Sequence, residues 1–234
     1  MINDEVYKGL INKLMASPSY DHDDISHELI CERIEFDPYQ PLSCANSAYI
    51  KQEIEWYMSG DLSIKGHPGI ETNKTWSKIA SDDGMVNSNY GWCIFSEENH
   101  SQFKHVIDAL DKKLHTKRAV MIYSRPSIVV EHDDNVHAKK DMICTIYVTI
   151  QIRKNERGRN VMYYTVHMRS NDVWYGLRND LAWHQKIFEL VRQHCISKWN
   201  EPILPGKIIW VADSLHIYTW ALPLISRYLA GETK

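Results

Sequence analysis

A chain of 234 residues, 44% hydrophobic and 24% charged, is long enough to bury one sizeable core and is expected to fold as a single domain over 1–234. A formal net charge of −3 and a pI near 6.4 exclude a protein that coats nucleic acid through a basic face, but not a local pocket for one small anion. Five cysteines without a C-x-x-C pair suggest neither a disulfide framework nor a zinc ribbon. The acidic N-terminus lacks an apolar signal region and no long apolar run follows, so the expected setting is a reducing cytoplasm.

Residues 1–45 carry mixed signals, with an acidic patch at Asp21-His-Asp-Asp24. Residues 46–58 read as a helix. Tyr49, Ile50, Ile54 and Tyr57 recur at helical spacing, and Glu53 lies on the adjacent flank, where a carboxylate is by default solvated. Gly60 and Pro68 bracket a loop, the sequon Asn73-Lys-Thr75 is expected to be accidental, and residues 84–92 are turn-rich and end in aromatics. Ser101 is placed to cap a helix over 102–114, whose Phe103, Val106, Ile107 and Leu110 share a face. Lys112, Lys113, Lys117 and Arg118 read as charge gathered at that helix's C-terminus.

Strand-like runs then dominate, at 119–123, at 142–150 around Cys144, and at 161–168, the last two joined by a polar hairpin link over 153–159. The segment Glu131-His-Asp-Asp-Asn-Val-His137 has metal-ligand residue types but no orienting frame, and reads as a solvated loop. A helix over roughly 180–199 follows, with Asn179 as its N-cap and Asp180 complementing its dipole; then come Pro202, Pro205, a short strand at 207–211 and a final helical segment. Strands not regularly separated by helices imply a mixed α/β fold with a largely antiparallel or mixed sheet.

Taken singly, each polar residue of interest has an ordinary reading. A cysteine in an apolar strand is usually inert, and a nucleophile at 144 would need a nearby cation, for which Arg125 and Arg169 are candidates. His216 and Tyr218 alternate in apolar surroundings and read as paired core groups. Together, however, a thiol, an anion clamp, a carboxylate and hydrogen-bonding groups suited to a sugar form an inventory for chemistry on a nucleotide.

The blocks Tyr49-Ile-Lys-Gln-Glu-Ile-Glu-Trp-Tyr57, Asn87-Ser-Asn-Tyr-Gly-Trp92, Met121-Ile-Tyr-Ser-Arg-Pro-Ser127, Met142-Ile-Cys-Thr145, Met168-Arg-Ser-Asn-Asp172, Gly176-Leu-Arg-Asn-Asp180 and Ser214-Leu-His-Ile-Tyr218 occur in one order over residues 46–220. Jointly they resemble the thymidylate synthase superfamily, and more closely its phage deoxycytidylate 5-hydroxymethylase branch. The resemblance implies an α/β thymidylate synthase-like fold, a mixed, mostly antiparallel sheet flanked by helices, and a homodimer packed sheet to sheet. It implies Cys144 as the nucleophile at pyrimidine C6, Glu53 as the carboxylate organising water and proton transfer, and Tyr90 as an active-site tyrosine. It implies Arg169, Ser170 and Asn171 as nucleotide ligands, His216 and Tyr218 on the sugar 3′-hydroxyl, and Lys117 with Arg118 reaching the neighbouring subunit's phosphate site. It further implies 5,10-methylenetetrahydrofolate as co-substrate beside Trp76, Asp172 and Gly176, with no metal, no membrane and no direct nucleic-acid partner.

Uracil-specific members carry Asn where this chain has Asp180. A carboxylate accepts from cytosine N4–H and can share a proton at N3, so the expected substrate is dCMP. Three departures from the family pattern stand out. Thr145 and Thr149 replace the usual His and Gln, although Thr145 agrees with the hydroxymethylase branch. No Arg or Lys occurs between Lys13 and Arg33, which leaves His22 as the substitute in the phosphate loop. The tail ends soon after the last helix, so closure over the site is expected to be looser, favouring capture of the activated carbon by water. The expected product is 5-hydroxymethyl-dCMP. The alternatives are a dCMP 5-methyltransferase, a CMP-specific relative, and a non-catalytic nucleotide-binding relative.

Overall fold

The computed structural model describes residues 2–21, 25–133, 135 and 137–232. In chain order the elements are α1 (Ile2–Met15), β1 (Ser19–Asp21), β2 (Ile25–Phe36), α2 (Ser47–Ser59), α3 (Pro68–Glu71), α4 (Lys74–Ile79), α5 (Tyr90–Phe95), α6 (Gln102–Lys112), β3 (Val120–Ile122), α7 (Ile128–Glu131), β4 (Thr145–Lys154), β5 (Asn160–Asp172), α8 (Gly176–Trp199), β6 (Ile203–Tyr218) and α9 (Leu222–Leu229). Among the described residues the strands form one six-stranded sheet in the order β1-β2-β6-β5-β4-β3. Only the central β5–β6 pair is parallel; the other neighbours are antiparallel, so the expected mixed sheet is present.

Along β5 the residues Met162, Tyr164, Val166 and Met168 are buried, while Tyr163, Thr165, His167 and Arg169 between them are partly or fully exposed. This alternation is that of a sheet packed on one face against the helices that flank it. The covered side is filled by Trp183, Ile187, Phe188 and Val191 of α8, with Trp56 and Tyr57 of α2 and Tyr90 of α5. Gly91 permits the α2–α5 contact, because a Cβ there would lie 1.6 Å from the Tyr57 carbonyl oxygen.

Several boundaries differ from those read in the sequence. Residues 1–45 contain a full helix and a 12-residue strand; the run Ser26-His-Glu-Leu-Ile-Cys-Glu-Arg33 of β2 does not alternate apolar with polar residues, and so masked the strand. The strand at 207–211 is the middle of the 16-residue β6, which carries His216 and Tyr218 at its end. Cys144 is not within a strand but at a bend immediately before β4, where the pairing with β5 shifts register between Thr145 and Tyr147. α8 begins at Gly176, so Asn179 is no cap and Asp180 is the helix's fifth residue. Ser101 has φ 46° and makes no capping hydrogen bond through its side chain. Asn73, by contrast, caps α4 by accepting from the N–H groups of Thr75 and Trp76. Two expectations fall partly elsewhere: His22 lies outside the described residues, as do Asp134 and Val136 of the acidic loop. No helix among the described residues is long and apolar enough to cross a membrane.

Candidate active site

The candidate residues gather where the C-terminal ends of β5 and β6 meet the start of β4. Parallel pairing sets Ser170 beside Ser214 and Asp172 beside His216, so the two polar blocks of the sequence are fixed side by side by register. The Arg169 N–H donates to the Cys144 carbonyl at 2.9 Å and anchors the bend that carries the thiol.

Cys144 is half-buried, and burial pushes its thiol up to about 11, with Arg169 pulling in the opposite direction. One Arg169 Nη lies 3.9 Å from the sulfur, while its N–H groups also hold Ile143 O at 3.0 Å and Met142 O at 2.7 Å. The other candidate cation does not serve here. Arg125 forms a two-pronged ion pair with Glu131 and stacks over Trp92 at 4.7 Å, because α7 delivers the carboxylate to it.

Glu53 is 5% exposed, which overturns the default of a solvated helix flank. Its Oε1 accepts from the Tyr49 hydroxyl at 2.8 Å and from the Trp76 indole N–H at 3.1 Å, and that indole also reaches the Tyr49 oxygen at 3.0 Å. Burial outweighs both donors and pushes the carboxyl up to about 7. Tyr49 was missing from the expected site, although its position four residues before Glu53 on one helix face was the available signal.

Asp180 lies in the second turn of α8 and faces Asn171 and Tyr90. Burial first, and then the charge of Glu53, push it up to about 8, offset in part by hydrogen bonds from Asn171 and Tyr90. The Asn171 amide nitrogen donates to Asp180 Oδ2 at 2.8 Å, so Asn171 sits against a site carboxylate. Tyr90 is buried, stacks on Tyr57 at 5.1 Å, and feels the charges of both Asp180 and Cys144, which ties the thiol and both carboxyls into one electrostatic unit.

Asp172 accepts from the N–H groups of Trp174 at 2.9 Å and Tyr175 at 3.3 Å, closing the turn into α8, and burial raises it to about 6. Gly176 opens that helix; a Cβ there would meet Asn171 Nδ2 at 3.3 Å and Asp180 Oδ2 at 3.4 Å. His216 is lowered by burial and is therefore a neutral imidazole near neutral pH, with Nδ1 3.5 Å from Ser214 Oγ, which donates to Glu28. Tyr218 stands beside it, stacked on Trp220 with centroids 5.7 Å apart. Beneath the site Thr145, His184 and Tyr164 form a buried polar chain that the sequence did not reveal. Lys117 and Arg118 are exposed in the loop before β3, rather than on the helix end, and make no ion pair among the described residues.

The model of the thymidylate synthase family matches residues 40–234. The chain belongs to that family. Deoxycytidylate 5-hydroxymethyltransferase of Enterobacteria phage T4 is 38% identical over 190 residues, spanning 80% of this chain and 74% of the phage protein. The protein of the same name from phage T6 matches equally, at 38% over 190 residues. Thymidylate synthase of Buchnera aphidicola is more distant, 24% identical over 174 residues. Among solved structures, thymidylate synthase from T4 phage superposes with a TM-score of 0.71 over 97% of this chain and 81% of that one, at 18% identity. That likeness establishes the thymidylate synthase-like fold of this family member.

Proposed function

We propose that this thymidylate synthase family member is a folate-dependent transferase that converts dCMP into 5-hydroxymethyl-dCMP. The phage relatives at 38% identity carry the name of that activity. The observation that supports the substrate is Asp180, a buried carboxyl in the same electrostatic unit as Cys144 and Glu53.

In this reading Cys144, as thiolate, adds through Sγ to C6 of the cytosine, forming an S–C6 bond and moving electron density to C5. Arg169 supports the thiolate and, with Ser170, faces the phosphate. Asp180 accepts from N4–H and shares a proton at N3, drawing charge out of the ring. His216 and Tyr218 hold the sugar hydroxyl, the neutral imidazole accepting a proton that an imidazolium would repel. 5,10-Methylenetetrahydrofolate supplies the one-carbon unit. Trp76, the carboxyl of Asp172 and the bare backbone at Gly176 fit that group: an indole face, a proton-sharing acid near 6, and space that a side chain would fill. Glu53, held by Tyr49 and Trp76 and poised near 7, passes protons to and from the water that becomes the hydroxyl.

We also propose a homodimer packed through the uncovered sheet face, with Lys117 and Arg118 reaching the partner's phosphate site. The half-exposed Ile209 and Val211 on that face, and the exposure of both cations, support it. The test of the activity is the mass of the product from dCMP and labelled methylenetetrahydrofolate. A hydroxymethyl increment is expected. A methyl increment would make the chain a dCMP methyltransferase, and no tritium release from C5-labelled dCMP despite tight binding would make it a binding module.

A further inference from the structure

We infer that Asn171 sets base selection by fixing which oxygen of Asp180 can carry a proton. The inference rests on the proposed dCMP chemistry and gives Asn171 a role through Asp180 rather than on the substrate.

Asn171 is 3% exposed, and its Nδ2 donates to Asp180 Oδ2 at 2.8 Å. Its Oδ1 is buried and finds no partner among the described residues. A leucine would fill the same space without that orphaned acceptor, so the position bears a cost that only the Nδ2 donor offsets. Gly176 completes the arrangement, since a Cβ there would press on Asn171 Nδ2 at 3.3 Å and come into contact with Asp180 Oδ2 at 3.4 Å.

An amide nitrogen can only donate. Oδ2 is therefore an acceptor in either protonation state of Asp180, and any proton resides on Oδ1. A carboxyl so constrained offers an acceptor and a donor in a fixed order. With Oδ2 toward N4, the order matches cytosine, whose N4–H donates and whose N3 accepts. Uracil reverses both, with O4 accepting and N3–H donating, and would need the proton on Oδ2. Asn171 bars that form. Burial keeps Asp180 able to hold the proton near neutral pH, which makes the order matter.

The experiment compares wild type, Asn171→Leu, Asp180→Asn and the double variant for binding of dCMP and dUMP by calorimetry. Asn171→Ala serves as a second probe if the leucine variant does not fold by circular dichroism. The expected result is a loss of about tenfold or more in the dCMP-to-dUMP affinity ratio for Asn171→Leu, and no further change when that substitution is added to Asp180→Asn. A retained ratio, or equal losses in both backgrounds, overturns the inference. The apo protein gives a readout independent of the nucleotide: in 13C NMR the Asp180 carboxyl should titrate at higher pH in Asn171→Leu, because a donor to its ionised form is gone. An unmoved titration also overturns the inference. If wild type binds neither nucleotide, the dCMP reading fails, while the titration still decides whether Asn171 controls Asp180.

Discussion

Arg169 grips Cys144 twice, through a backbone N–H on the Cys144 carbonyl at 2.9 Å and a guanidinium nitrogen 3.9 Å from the sulfur. One residue thus sets both where the thiol stands and how readily it ionises. Burial works against ionisation, holding the thiol near 11, and Arg169 is the favourable charge beside it. Replacing Arg169 with Met should raise the thiol further, and each unit of rise leaves about tenfold less thiolate at a given pH below it. Iodoacetamide labelling of Cys144 at pH 8 should therefore slow by roughly that factor in unfolding-free conditions. An unchanged rate would remove Arg169 from the thiolate's support.

Glu53 carries its strain as a pH dependence. Its folded carboxyl sits near 7, above the ordinary value of 4.5, so the folded state holds a proton that the unfolded chain has released. Stability from this group is then greatest below about 4.5 and falls as pH rises toward 7, by on the order of 3 kcal/mol. Glu53→Gln should remove that slope, making the variant more stable than wild type at pH 8 by denaturant melts, with little difference near pH 5. The same substitution should lower kcat by about 10²–10⁴ while sparing dCMP binding, since it deletes a proton carrier and not a base contact. A wild-type pH slope in the glutamine variant would show that the cost of burial lies elsewhere.

The contrast between Glu53 and Tyr49 shows what the sequence could and could not convey. Helical periodicity placed residues 46–58 on a helix, but whether a flank is wet depends on what packs against it, and α4 with Trp76 comes from a separate loop region. The joint pattern of motif blocks singled out Glu53 as a candidate; its burial was not legible there. For the sheet, local alternation revealed β4 and β5 well, while the many polar residues of β2, out of step with a period of two, concealed a 12-residue strand. Parallel pairing of β5 with β6, which brings Asp172 opposite His216, is a long-range event with no local signature. Asn171 was legible as a member of the site, but its partner could be found only from the turn into α8.

Asp180 predicts a specificity reversal. A neutral amide at this position donates to O4 of uracil and accepts from N3–H, whereas the carboxyl suits cytosine. Asp180→Asn should lower kcat/KM for dCMP and raise the relative rate with dUMP, shifting their ratio by about 10²-fold or more, as expected when buried polar partners are mismatched. It should also abolish any limb of the dCMP rate profile that titrates near 8. A variant that keeps the wild-type preference for dCMP would refute the role.

Cys144→Ser and an Arg118 variant together test the shared site. Each alone should be nearly inactive, the first because no sulfur adds to C6 and the second because the partner's phosphate pocket lacks a cation. Nucleotide affinity in Cys144→Ser should stay within about tenfold of wild type, because phosphate and base contacts persist. In an equal mixture that exchanges subunits freely, half the dimers are mixed. Each mixed dimer contains one site with an intact Cys144 and an intact Arg118 from across the interface, and one site with neither. About a quarter of all sites, and so about a quarter of wild-type activity, should return. Recovery measured against either variant alone reports the geometry directly; no recovery after verified subunit exchange would mean that Arg118 serves its own subunit or none.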